Sequence, residues 1–305
     1  MAEKIIHHEE HHHDMCHHHH AEVSEKSVTL LMISFLINMV LSVVEIIGGI
    51  IAGSVSLIGD ALHNTSDAFS ILIAVIAFKI GKKKASKKYT YGFKRAEVIG
   101  GFVNLILLFI SGIYLLIEGS ARLINPQPIE GFVIIWISVL ALIIDAATAK
   151  ISHHGAHHNS NMKMVFIHNL ADAFGSLGVI VSGLCVVWFD IYRVDGVIAL
   201  VIAFYMIVQA FISFPQIVNI LMNAAPENMD LDKITKELLK IKGVRGVHHI
   251  HLWRISEHDV SLECHIEGDD VALVSKATKV LKEKFDICHC TIQVEDKHCS
   301  GQCTL

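Results

Sequence analysis

Charged side chains are scarce: Lys, Arg, Asp and Glu make up 18% of the 305 residues against 52% hydrophobic, and the mean hydropathy is +0.51. Ordinary soluble domains carry charge at about a quarter of their positions, so this balance excludes one and points to a chain that crosses a bilayer several times. A secretory signal peptide is also missing. The first 20 residues are polar and nine of them are His, so insertion has to use the first apolar run itself. No His-Glu-x-x-His signature accompanies the apolar runs, which removes the main ground for an intramembrane metallohydrolase.

Six apolar runs are long enough to cross a hydrocarbon core of about 30 Å at about 1.5 Å per residue. They lie near 28–51, 55–80, 96–121, 131–150, 164–189 and 196–220. Three regions follow: a His-rich segment at 1–27 without apolar periodicity, a six-span region at 28–225, and a polar tail at 226–305 beginning at the Ala225-Pro226-Glu227 break. Between the second and third spans stand Lys79, Lys82, Lys83, Lys84, Lys87, Lys88, Lys94 and Arg95, whereas the loop after the third span carries only Arg122. That asymmetry places the lysine-rich loop, both termini, the tail and the Lys150 to Lys163 loop in the cytoplasm. All cysteines but Cys185 then face a reducing compartment, so free thiols or thiolate–metal bonds are expected rather than disulfides.

What is present inside the apolar runs is a repeated pattern. It reads His63-Asn64-Thr65-Ser66-Asp67-Ala68-Phe69 in the second run and His168-Asn169-Leu170-Ala171-Asp172-Ala173-Phe174 in the fifth. An ionised Asp at the centre of a membrane helix costs about 2.5–3.5 kcal/mol on insertion scales, so two of them call for a compensating cation. His and Asp at i and i+4 project from one helix face, and two such faces opposed would offer two imidazoles and two carboxylates. Four mixed N and O donors suit tetrahedral Zn²⁺, and two Asp⁻ balance its charge. With the metal gone, two confined carboxylates repel and take up protons in its place, which predicts metal–proton exchange at one site. Asp60, one turn before His63, reads either as a carboxylate on the approach path or supporting the site, or as a group satisfied near the membrane surface.

Other metal-ligand residues lie outside the spans. The N-terminal tract includes Cys16 and His17, and His153-His154-Gly155-Ala156-His157-His158 precedes the fifth span; both would concentrate metal near the membrane site. The tail patterns as helix 230–242, strands 244–255 and 259–267, helix 270–285 and strand 289–295, with His248, His249, His251, Cys264, His265, Cys288, His289, Cys290 and Glu295 on or beside the strands. His298, Cys299 and Cys303 close the chain. Some strand cysteines, Cys264 and Cys290 among them, read equally well as core residues.

Six spans, the paired His-x₃-Asp, Gly59-Asp60-Ala61-Leu62-His63, Tyr91-Gly92-Phe93-Lys94-Arg95, Val247-His248-His249-Ile250-His251-Leu252-Trp253 and Thr291-Ile292-Gln293-Val294-Glu295 resemble the cation diffusion facilitator family of zinc transporters over nearly the whole chain. The resemblance implies an α-helical membrane protein of six transmembrane helices with a C-terminal α+β ferredoxin-like cytoplasmic domain. It implies a homodimer, not an enzyme, that exports Zn²⁺ from the cytoplasm in exchange for protons, with Cd²⁺ or Co²⁺ as further cargo and no nucleic-acid partner. His63, Asp67, His168 and Asp172 would form the transport site. In the tail, His248, His265 and Glu295 would bind zinc, joined by Cys299, Cys303, Cys16 and His17 as in some relatives, and His153 and His157 would deliver metal. The short His-rich loop and compact tail favour a bacterial plasma-membrane member over one of eukaryotic vesicles. A passive channel and a membrane-bound metal sensor are the competing readings.

Overall fold

A computed structural model of the protein describes residues 25–81, 83, 85–156, 160–256 and 259–296. Each apolar run lies within one helix: α1 (Glu25–Ala52), α2 (Val55–Gly81), α3 (Ala96–Ile124), α4 (Gly131–Ala156), α5 (Ser160–Phe189) and α6 (Arg193–Leu221). All six are long and apolar enough to cross a membrane. Leu57, Leu115, Ile134, Val179 and Met206 fill the bundle interior, while Val40, Ile50, Ile117, Trp188, Phe204 and Phe211 point outward, as a lipid-facing surface requires.

The helices associate in pairs, α4 on α5, α3 on α6 and α1 on α2. Glycines set the first two contacts. A Cβ at Gly131 would meet the carbonyl oxygen of Gly183 at 2.8 Å, and one at Gly196 would meet that of Gly119 at 2.9 Å, so backbones touch where any side chain would hold them apart. The expected loop from Lys150 to Lys163 is largely absent, because α4 continues to Ala156 and α5 starts at Ser160. No proline interrupts that stretch, and Gly155 alone costs only about 1 kcal/mol, too little to stop a helix already running. His153 therefore lies on the last turns of α4 rather than in a loop.

The start of α2 is held from another helix. Ser54 is its N-cap, with Oγ accepting from the Leu57 N–H at 3.1 Å. Asp195, at the start of α6 and 1% exposed, accepts from Ser54 Oγ (2.6 Å), Ser56 Oγ (2.6 Å), Val55 N (2.7 Å) and Ser56 N (3.3 Å). One carboxylate thus satisfies the orphan donors of a helix end that lipid could not serve.

The tail is an α+β unit in the expected order: α7 (Leu231–Leu239), β1 (Gly246–Arg254), β2 (Val260–Glu267), α8 (Ala272–Phe285) and β3 (His289–Glu295). Asp230 caps α7 by accepting from the Asp232 N–H at 2.9 Å. The sheet order is β1-β2-β3, antiparallel then parallel, with α8 as the crossover. Ile234, Leu238, Leu252, Leu262, Ile266, Leu273 and Leu281 form its core. The tail meets the loop before α3: Lys94 Nζ lies 2.9 Å from Asp259 Oδ1, and the Tyr91 and His289 rings pack edge-on at 5.4 Å. Arg95 donates to the Asn223 side chain in the segment leading to the tail.

Candidate metal centre

On α2, His63 and Asp67 share a face, and on α5 His168 and Asp172 do the same, as i, i+4 spacing dictates. The two faces meet in the bundle. His63 Nε2 lies 3.0 Å from Asp172 Oδ1 and 3.5 Å from Asp67 Oδ2. His168 Nε2 lies 3.3 Å from Asp67 Oδ2 and 3.6 Å from Asp172 Oδ2. Each imidazole thus reaches both carboxylates, one on its own helix and one across. Ligands about 2.0–2.2 Å from a tetrahedral Zn²⁺ stand about 3.4 Å apart, close to these N···O separations, although His168 stands outside the tightest group and would have to move inward to complete a four-ligand set. Ligand atoms of His63, Asp67 and Asp172 also lie within 4.8 Å of one another.

The four positions differ in access. His63 is buried, with its ring edge-on to Tyr205 of α6 at 5.4 Å, whereas the His168 side chain is 39% exposed. His168 therefore marks the open side of the cluster. His63 Nδ1 is buried with no hydrogen-bond partner among the described residues, which provide no second contact of the kind that usually fixes the tautomer of a metal-binding histidine.

Three buried carboxylates lie beside the tetrad, and the motif repeat draws attention to only one of them. Asp60, which the spacing places one turn from His63, is 3% exposed and accepts from Ser176 Oγ at 3.1 Å. Asp145 of α4 accepts from the same hydroxyl at 3.0 Å, and Glu45 of α1 accepts from Asn64 Nδ2 at 3.0 Å. Each interrupts an apolar run, which is the signal that identifies Asp67 and Asp172, but neither stands in a repeat.

The tail brings a second group together: His248, His265 and Glu295 have ligand atoms within 4.8 Å of one another. His265 Nδ1 lies 3.0 Å from Glu295 Oε1 and His248 Nε2 3.3 Å from Glu295 Oε2. A β-bulge arranges this. His248 pairs with His265 and His251 with Glu263, leaving two residues of β1 opposite one of β2, and His249 takes a left-handed φ of 51°. Strict alternation would send consecutive histidines to opposite faces, yet the rings of both His248 (5.3 Å) and His249 (4.7 Å) approach His265. Substituting His265 by Ala is expected to lower the zinc retained by the purified chain by one equivalent per protomer, measured by elemental analysis after gel filtration. An unchanged metal count would show that this triad does not hold zinc.

The strand cysteines are core residues. Cys264 is fully buried, and burial, then the neighbouring Cys290 and Glu263, pushes its thiol up to about 12. Burial pushes Cys290 up to about 11. Neither supplies a thiolate near neutral pH. Cys264 and Cys290 are free, as expected, and so is Cys185, but Cys288 is disulfide-bonded, a departure from the expectation of reduced thiols. Cys16, His17, His157, Cys299 and Cys303 lie outside the described residues, as does the side chain of His153.

Comparison with known proteins agrees with this architecture. Residues 31–222 match the cation efflux transmembrane domain and residues 226–297 the cation efflux protein cytoplasmic domain. The chain belongs to the cation efflux family. The metal cation efflux system protein CzcD of Cupriavidus metallidurans is 31% identical over 84% of this chain and 83% of its own. A cadmium, cobalt and zinc/H(+)-K(+) antiporter of Bacillus subtilis is 29% identical over 87% of this chain and 88% of its own. The solved metal-bound C-terminal domain of the Cupriavidus CzcD transporter is 32% identical, covering 22% of this chain and 99% of that one, with a TM-score of 0.21. As a cation efflux family member the chain is a multi-pass membrane transporter of divalent metal cations, and its relatives are transporters rather than enzymes.

Proposed function

We propose that this cation efflux protein is a Zn²⁺/H⁺ antiporter that exports zinc from the cytoplasm through His63, Asp67, His168 and Asp172. The observation that carries the reading is the convergence of all four side chains at N···O separations of 3.0–3.6 Å between helices α2 and α5. Two carboxylates and two neutral imidazoles neutralise a divalent ion, so the loaded site has no net charge in a low-dielectric interior. Empty, the same site holds two carboxylates that protons can neutralise instead, and this competition couples the two fluxes. Cd²⁺ and Co²⁺ fit the same donors, and the cargo named for the Bacillus relative includes both.

The lysine-rich loop and the tail, joined by Lys94 and Asp259, lie on the cytoplasmic side in this reading, with both termini there and the protein in a bacterial plasma membrane as a homodimer. The matching of a cytoplasmic-domain family found in cation efflux proteins supports that orientation. The test is zinc uptake into proteoliposomes with and without an imposed pH gradient, with internal pH followed at the same time. Zinc should move one way and protons the other, and collapsing the gradient should slow zinc uptake several-fold. Zinc flux that is indifferent to the gradient and carries no counter-movement of protons would identify a channel instead.

A further inference from the structure

His63 is 6% exposed, and its Nδ1 has no hydrogen-bond partner among the described residues. A metal-binding histidine usually donates its second N–H to a carboxylate or a carbonyl, which fixes both the ring orientation and the nitrogen offered to the metal. Without that contact the imidazole depends on packing, because rotation about its Cβ–Cγ bond has only broad, roughly two-fold preferences. The ring is nevertheless set so that Nε2 lies 3.0 Å from Asp172 Oδ1 and 3.5 Å from Asp67 Oδ2.

Two rings stand against it. The His168 ring, itself a proposed ligand, has its centroid 6.0 Å away at an interplanar angle of 70°, and the Tyr205 ring is nearer, at 5.4 Å and 79°. Edge-to-face contact of this kind favours one tilt of the rings over others, because a positive ring edge meets a negative ring face. Tyr205 belongs to α6, a helix that supplies none of the four ligands. Its neighbours hold it in place: Ala203 and Met206 are fully buried in the bundle interior, and Ile202, about one turn earlier, is 7% exposed. A Cβ at Gly112 of α3 would meet Ile207 Cγ1 at 2.8 Å and the Ala203 carbonyl oxygen at 3.4 Å, so α3 packs directly on this turn of α6. The Tyr205 ring is therefore a wall anchored outside the two helices that carry the ligands.

From these observations we infer that Tyr205 is a positioning residue that holds the His63 imidazole with Nε2 toward the two carboxylates, and that through His63 it sets the preference of the site for zinc. The inference rests on the transport reading above. Carboxylate oxygens suit Mg²⁺, Ca²⁺ and Mn²⁺, whereas imidazole favours Zn²⁺. An imidazole already held in place adds its preference without an ordering cost when the ion arrives, and one free to turn loses part of it. Removing the Tyr205 ring therefore weakens zinc far more than manganese.

The test is zinc uptake by the full chain in proteoliposomes, with Mn²⁺ as a competing ion, for wild type, Tyr205→Phe, Tyr205→Leu, Tyr205→Ala and Asp67→Ala. Loss of the outer contact that orients a metal-binding histidine costs about ten- to a hundredfold in affinity, so Tyr205→Ala is expected to raise the zinc KM about tenfold. Its maximal rate and the Mn²⁺ inhibition constant should each stay within about twofold of wild type, the signature of lost binding rather than lost turnover. Tyr205→Phe keeps the ring and should restore the wild-type zinc KM. An unchanged zinc KM in Tyr205→Ala overturns the inference; so does a Mn²⁺ constant that rises in step with it, since a general loosening of the bundle weakens both ions alike. Tyr205→Phe behaving like Tyr205→Ala overturns it as well, because the hydroxyl and not the ring would then be responsible. If Tyr205→Ala does not assemble, Tyr205→Leu fills the space without a flat ring and carries the same expectations. Asp67→Ala separates the two ideas. If it transports normally the tetrad reading fails, whereas if it is inactive and Tyr205→Ala has wild-type kinetics only the role of Tyr205 fails.

Discussion

Asp172→Ala is expected to abolish zinc flux while the chain still inserts and folds. Asp172 takes part in two of the four His–Asp contacts, at 3.0 Å to His63 across the helices and 3.6 Å to His168 on its own helix, so its loss takes one ligand and half the negative charge. A divalent ion in the remaining site leaves a net positive charge inside the bilayer, which the low dielectric penalises. Removing partners merely hydrogen-bonded to a metal ligand costs roughly ten to a hundredfold in affinity, and removing the ligand itself should exceed that. The expected result is a fall in proteoliposome zinc uptake of at least about a hundredfold, with an unchanged gel-filtration profile. Asp172→Asn keeps the shape and one oxygen and should retain a small residual flux. A sensor reading makes the opposite forecast, since metal perceived by the tail triad would still register. Zinc uptake by Asp172→Ala at the wild-type rate would remove the tetrad from the transport path.

The second large effect concerns folding rather than transport. Asp195→Ala takes the acceptor away from two serine hydroxyls and two backbone N–H groups at the start of α2, all of them buried. Hydrogen bonds to a charged group contribute about 1.5–3 kcal/mol each, and leaving their donors unserved adds a desolvation cost. Even with partial relaxation, a loss of about 3–5 kcal/mol is expected, comparable with breaking a buried ion pair. In detergent this should lower the melting midpoint by about 10 °C or prevent recovery of folded protein. Asp195→Asn keeps one acceptor oxygen and should fall between. A melting midpoint for Asp195→Ala within about 2 °C of wild type would show that this cap contributes little.

Asp195 also shows where reading the chain in one dimension stops. An Asp near the start of an apolar run reads as a favourable charge at the N-terminus of its own helix, and it does stand in the first turn of α6. That it caps α2, 140 residues away, depends on how the helices cross, and no local pattern encodes the crossing. The six spans and the His–Asp tetrad were legible because composition and i, i+4 spacing act locally and the motif occurs twice. Asp145 and Glu45 carried the same kind of signal without a second copy to raise it above background. The His248 and His249 arrangement was legible as residues but not as geometry, since the bulge breaks the period of two on which strand reading relies. The helical end of α4 was missed for a different reason: histidines and a glycine suggest a loop by composition, but none of them ends a helix that packing already supports.

The glycine contact between α4 and α5 has a mechanical consequence. Two helices touching backbone to backbone at Gly131 and Gly183 have no side-chain layer in which to slide, so they travel together. Asp172 and His168 ride on one of them and Asp145 on the other, whereas Asp67, His63 and Asp60 belong to α2, which meets α5 only sparsely. A displacement of this pair by an ångström or two therefore parts the tetrad into halves and, in the same stroke, draws Asp145 away from Asp60. In the proposed transport cycle, affinity for the ion becomes a function of one coordinate, the position of a two-helix lever, instead of four independent side-chain motions.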